Sequence, residues 1–158
     1  MEGCIQEAFS ELYTEDGLNI MAPGLGSIKL LSKYISLYSR KVESNRNQTL
    51  VKKTVFCLNL NGEEGNIMDI LSADGIFPHQ YPRVINNEVS SQEREEMYSC
   101  GGCFIITSRI MIVDLLTEKV NIPSIAGYLV YNAHKITETS MESFILRVFR
   151  QKNRTGFI

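Results

Sequence analysis

Apolar positions along this chain recur in two alternating periods. Ile5, Phe9 and Leu12 fall at helical spacing with Glu7, Ser10 and Glu11 between them, which predicts a short amphipathic helix over Cys4 to Tyr13, ended by Asp16-Gly17. Leu18 to Ala22 is a compact apolar run and is expected to be a buried strand, broken by Pro23-Gly24-Leu25-Gly26. Ile28, Leu31, Ile35 and Tyr38 then share one face of a predicted helix from Ser27 to Tyr38. Ser44 to Gln48 is a polar loop, and Thr54 to Leu60 is a second β-rich run bounded by Asn61-Gly62.

The alternation continues to the end of the chain. Ile67, Ile70 and Leu71 predict a short helix, Asp74-Gly75 a turn, and Arg83 to Ile85 a weak strand hemmed in by Pro78 and Pro82. Ser90 is an N-cap candidate for a polar helix over Ser91 to Tyr98. Gly101-Gly102 punctuates, Cys103 to Thr107 is an apolar run of strand length, and Ser108 to Thr117 is helical by the recurrence of Ile110, Val113 and Leu116. Pro123 limits its segment to a turn, Gly127 to Tyr131 is another buried strand, and Ser140 caps a last helix carrying Met141, Phe144, Ile145, Val148 and Phe149. Near-continuous apolar strands alternating with amphipathic helices imply an α/β fold, a parallel sheet with helices on both faces. Both a dinucleotide-binding sheet and a RecA-like nucleotide-hydrolase sheet place glycines after the first strand.

The glycine turn separates those two. A working phosphate loop reads G-x-x-x-x-G-K-[ST], with Lys neutralising the transferring group and the hydroxyl holding magnesium. Gly24 and Gly26 stand where that loop would, but Ser27 and Ile28 occupy the Lys and Ser/Thr places. Lys29 does not substitute, because successive helical residues turn by about 100°. A dehydrogenase or methyltransferase reading lacks G-x-G-x-x-G, since Gly26 is followed by Ser27, Ile28 and Lys29. The plain alternative is that the two glycines only make a tight strand-to-helix turn, and the helix N-terminus could still attract an anion. A second position points the same way. Tyr131, Asn132, Ala133 and His134 follow a buried strand where a DEAH-type helicase has D-E-A-H. There the Asp reaches magnesium and the Glu positions the attacking water, and neither Tyr131 nor Asn132 is a carboxylate.

Composition narrows the rest. With 158 residues and 44% hydrophobic residues, one domain over 1–158 is expected. A net charge of −2 announces no nucleic-acid partner, so any DNA contact must be local. No apolar run approaches the roughly 20 residues that span a bilayer, and the N-terminus is unlike a signal peptide, so an intracellular protein is expected. The sequons at Asn47 and Asn153 are then without meaning. Cys100 and Cys103 have the spacing of half a zinc site, but Cys4, Cys57, His79 and His134 are scattered, and buried or half-buried thiols are the better reading.

Four stretches carry a resemblance to a known family: Ala22 to Gly26, Gly101 to Leu116, Gly127 to His134 and Glu142 to Ile158. Together they resemble the N-terminal, superfamily 2 helicase-like lobe of the XPF family of DNA-repair endonucleases. The resemblance implies a nuclear protein of nucleotide-excision and crosslink repair, a RecA-like lobe that has lost ATPase activity, and partners that include branched or damaged DNA, an ERCC-type subunit and repair scaffold proteins, with no membrane. It does not bring the nuclease, since the family's Glu-Arg-Lys signature lies in another domain and does not occur here. No cofactor is expected, and magnesium would serve that nuclease domain. The family continues past the position of Ile158, so a truncated lobe with an exposed sheet edge and poor solubility is expected.

Two groups of residues are candidates for nucleic-acid contact. Thr107 and Ser108 open a helix where such helicases hold a nucleic-acid backbone, and Arg109 adds charge, although simple N-capping explains the same residues. Arg147, Arg150, Lys152 and Arg154 form a basic cluster on or after the last helix, and such runs are commonly solvated faces. A protein-docking scaffold without DNA contact and an active DNA-dependent ATPase are the rival functions.

Overall fold

The computed structural model describes residues 2–14, 16–44 and 53–158. Of the polar loop expected over Ser44 to Gln48, only Ser44 lies within them, as the last residue of a helix. The elements are α1 (Glu2–Thr14), α2 (Ser27–Ser44), β1 (Thr54–Leu58), α3 (Glu64–Ala73), β2 (Arg83–Ile85), α4 (Ser91–Cys100), β3 (Gly102–Ile106), α5 (Ser108–Leu116), β4 (Ile125–Val130) and α6 (Met141–Lys152). Short 3-10 turns at Pro78–Gln80, Ile122–Ser124 and Ala133–Lys135 fall around prolines and after β4. Two predicted caps form as read: Ser90 Oγ accepts from Glu93 N and Ser140 Oγ from Ser143 N, each at 3.2 Å.

The four strands pair in the order β2-β3-β1-β4, and every pairing is parallel. Side chains alternate between faces, as the pleat requires. Phe56, Leu58, Phe104, Ile106 and Tyr128 face one way, into a core with Tyr98 of α4, Met111 and Leu115 of α5, and Ile145 and Phe149 of α6. Val55, Cys57, Cys103 and Ile105 face the other way, onto Leu31 and Ile35 of α2 and Ile67 and Leu71 of α3. Both faces are covered, which is why these strands read as continuous apolar runs.

The expected strand at Leu18 to Ala22 does not form. The chain there has no ladder, and Leu18 and Ile20 are 69% and 88% exposed. A strand needs a partner edge, and the outer edge of β4 is met instead by Phe157: Tyr128 N donates to Phe157 O and Phe157 N to Ala126 O, both at 3.0 Å. The segment touches this edge through a side chain, since Asp16 Oδ1 accepts from Ile158 N at 3.0 Å and Asp16 pairs with Arg150. Strand propensity without a neighbour to pair with does not make a strand.

A half-buried ion pair, invisible in the hydrophobic pattern, ties α4 to α5. Asp114 is fully buried and accepts from Arg94 Nε at 2.8 Å, Arg94 Nη2 at 2.7 Å and the Tyr98 hydroxyl at 2.7 Å. Arg94 Nη1 also donates to Val89 O at 2.9 Å. Burial, and then the bond to Asp114, hold the Tyr98 phenol well above its usual range.

Two further tyrosines titrate late. Burial, reinforced by Tyr38, pushes Tyr34 up to about 12, and burial alone raises Tyr128. The unfolded chain releases these protons near pH 10. Between that pH and the folded values the native state binds more protons, so stability is intact below about pH 10 and falls as pH rises beyond it. Melting temperatures measured across that range are expected to drop steeply on the alkaline side. The Tyr128 hydroxyl has no hydrogen-bond partner. Tyr128→Phe should therefore flatten part of the drop and leave neutral-pH stability unchanged or higher by about 1 kcal/mol. A loss of stability at neutral pH in that variant would contradict the assignment.

Candidate functional site

In a parallel sheet the carboxyl ends of the strands, together with the helix starts that follow them, form the face where ligands are held. Two of the predicted groups map to such positions here: Tyr131 to His134 follow β4, and Thr107 to Arg109 join β3 to α5, whereas Gly24 to Ile28 open α2 with no strand before it.

The glycine turn is closed by Leu25 N donating to Ala22 O at 3.2 Å, with Gly24 and Gly26 at φ of 83° and 84°. No strand leads into it. α2 begins at once, with Leu30 N donating to Gly26 O at 2.9 Å. Ser27 is exposed, whereas Ile28 is half-buried and packs against the core between α2, α3 and the sheet. Tyr131 packs against the same core, and its N–H donates to Leu58 O at 3.1 Å, extending the β1–β4 contact by one residue. Asn132 turns the chain with a left-handed φ of 51°, and Ala133 to Lys135 form a 3-10 turn that leaves His134 exposed. Ile28 and Tyr131, the positions matched in sequence to a magnesium-binding hydroxyl and a carboxylate, thus both pack against one core of the protein. These residues do not fit a magnesium–nucleotide complex, for want of the oxygen ligands.

At the start of α5, Thr107 is the N-cap residue, but its side chain makes no capping bond. Ser108 is buried, and its hydroxyl donates to Glu142 Oε1 of α6 at 2.5 Å. Arg109 is exposed. A carboxylate thereby stands beside the helix N-terminus that would attract a phosphate, and a second anion there meets its repulsion. Nothing in the sequence signals this contact, since Glu142 reads as an ordinary first-turn acid of its own helix.

The basic cluster does not act as one surface. Arg150 is half-buried and taken up by contacts within the chain: it donates to Gly156 O at 2.5 Å, pairs with Asp16 and lies over the Phe149 ring at 5.5 Å. Arg147 is exposed and donates to Glu138 O at 3.2 Å, while Lys152 and Arg154 are exposed. Lys152 is five residues beyond Arg147, about 140° around the helix. Between Lys152 and Arg154, Asn153 has a structural role. Its amide is buried and donates to Ile122 O at 3.1 Å and Ile125 O at 2.8 Å, while its oxygen accepts from Gly156 N at 2.9 Å. It secures the approach of Phe157 to β4.

The paired spacing of Cys100 and Cys103 does not make a pair. Cys100 is exposed at the end of α4, whereas Cys103 is buried in β3 with its sulfur 3.7 Å from that of Cys57. The bond to Cys103, and then burial, raise the Cys57 thiol well above its usual range. Among the described residues, no group of three or more His, Cys, Asp or Glu side chains converges as a metal site.

A four-stranded parallel sheet covered by helices on both faces is the α/β RecA-like fold. The helicase domain of Hef from Pyrococcus furiosus has this fold, with a TM-score of 0.70 at 14% identity over 98% of this chain and 31% of that one. The chain is related in sequence to the XPF family of DNA-repair proteins. It is 40% identical to the DNA repair endonuclease XPF of Cricetulus griseus over 94% of its own length and 15% of that protein's. It is 33% identical to the DNA repair protein rad16 of Schizosaccharomyces pombe, over 97% of this chain and 16% of that one. No family model matches the chain. No helix among the described residues is long and apolar enough to cross a membrane.

Proposed function

We propose that the chain is a non-catalytic helicase-like scaffold lobe of an XPF-type structure-specific DNA-repair endonuclease, acting in the nucleus in excision and crosslink repair. The observation that carries this reading is the packing of Ile28 and Tyr131 into one apolar core, which puts hydrocarbon and an aromatic ring where nucleotide hydrolysis requires magnesium ligands. A phosphate-release assay with ATP and magnesium is expected to give no turnover, with or without single-stranded DNA. DNA-stimulated release would overturn the proposal.

What such a lobe holds is branched or damaged DNA, repair proteins, or both. If DNA is bound, the exposed Arg109 and Arg154 are the probes to use, because Arg150 is already paired with Asp16 and Gly156 O. Arg109→Glu and Arg154→Glu should each weaken binding to all sequences and reduce the salt slope by about 1. Fluorescence anisotropy across a salt series reads both effects. Unchanged affinity would favour the second reading, a protein-docking scaffold without DNA contact. That reading has its own support in the contacts that Ser108 and Arg150 already make within the chain. It predicts that pull-down of repair partners survives the same reversals.

A further inference from the structure

α1 lies along α2 in the same sense. Ile5 meets Gly26 at the start of α2, Lys33 Nζ donates to Gln6 Oε1 at 3.3 Å, and the Tyr34 hydroxyl donates to Phe9 O at 2.7 Å. The rings of Phe9 and Tyr34 lie 4.6 Å apart, and Ile5, Leu30 and Tyr34 form a small buried core joined by Ala8, Leu12 and Met21. Two helices in the same sense need a connection that runs back along them. α1 has 13 residues and spans about 20 Å. The seven residues from Asp16 to Ala22 would cover about 23 Å if extended, enough for that return without any sheet.

The two glycines of the turn differ in their surroundings. A Cβ on Gly24 would meet nothing within 4 Å, whereas one on Gly26 would lie 3.1 Å from Ile5 Cδ1. Their backbones are almost the same, at φ of 83° and 84°. Ile5 is only 2% exposed, so its side chain ends on the bare Cα of Gly26.

We propose that Gly26 is the docking point of α1, so that the turn serves in this chain as the joint of a helix pair and not as a phosphate cradle. Glycine is needed at position 24 for its backbone alone, and at position 26 for both backbone and space. The proposal goes beyond the absence of ATP turnover and does not depend on it, since its readout is the protection of α1 and not phosphate release.

Amide hydrogen exchange of residues 3–14 in the full chain tests it. Gly24→Ala and Gly26→Ala strain the turn alike, but only Gly26→Ala crowds Ile5. Exchange in α1 is expected to rise about tenfold or more in Gly26→Ala and in Ile5→Ala, and to stay near the unaltered rate in Gly24→Ala. Ile5→Ala reaches the contact without touching the turn, so the result does not depend on how Gly26→Ala folds. Unchanged protection of α1 in Ile5→Ala, or equal release by the two glycine variants, would overturn the proposal.

Discussion

Asp114→Ala is expected to destabilise the protein by about 3–5 kcal/mol, because it opens a fully buried site and leaves the half-buried Arg94 guanidinium and the buried Tyr98 hydroxyl without their partner. Arg94 is only 11% exposed at its side chain, and Asp114 not at all. Three donors converge on this one carboxylate, and Tyr98 would lose its partner as well. A chain of this size loses about 2–4 °C of Tm per kcal/mol, so the melt should fall by roughly 6–20 °C. Removing both charges tests the cause: in Arg94→Met with Asp114→Leu no unpaired ion remains, and much of the loss should be recovered. Urea unfolding with an unchanged m-value is the measurement. If the double variant were as unstable as Asp114→Ala, packing and not charge would account for most of the loss.

Phe56→Ala has an effect of similar size for a different reason. Phe56 is fully buried at the centre of β1, with the rings of Tyr98, Phe104 and Tyr128 at 5.4, 5.6 and 5.7 Å. These neighbours belong to α4, β3 and β4, and Tyr128 in turn meets Phe149 of α6 edge-on at 5.0 Å. Truncation opens a cavity that rigid rings close poorly, with an expected cost of about 3–5 kcal/mol. Phe56→Leu keeps most of the volume and should lose less. Guanidinium unfolding of both variants checks the ranking, and equal losses would mean that ring–ring contact outweighs volume.

The first prediction could not be made from the apolar pattern. The helix over Ser91 to Cys100 reads as polar, yet Arg94 and Tyr98, one turn apart, reach inward to Asp114, which sits in a helix whose other inward positions are hydrophobic apart from Ser108. A charged residue in such a helix reads as part of the solvent face unless the position of its partner is known. The contact of Ser108 with Glu142 and the commitment of Arg150 to Asp16 and Gly156 were hidden in the same way, because their partners are 34, 134 and 6 residues distant in sequence.

The elements of the two-faced sheet were legible because burial on both faces leaves continuous apolar runs, and covering helices carry one apolar stripe each. Leu18 to Ala22 has the same signature and is not a strand, since period and propensity report what a segment could bury and not which edge it finds. The absence of a lysine at Ser27, of a magnesium-binding hydroxyl at Ile28 and of carboxylates at Tyr131 and Asn132 is a fact of residue type, and the sequence determined it by itself. Tertiary structure alone decided that Ile28 and Tyr131 meet one core, that Gly26 receives Ile5, and that a carboxylate stands at the start of α5. Each of these contacts joins separate elements, and their geometry follows from how helices and sheet pack together.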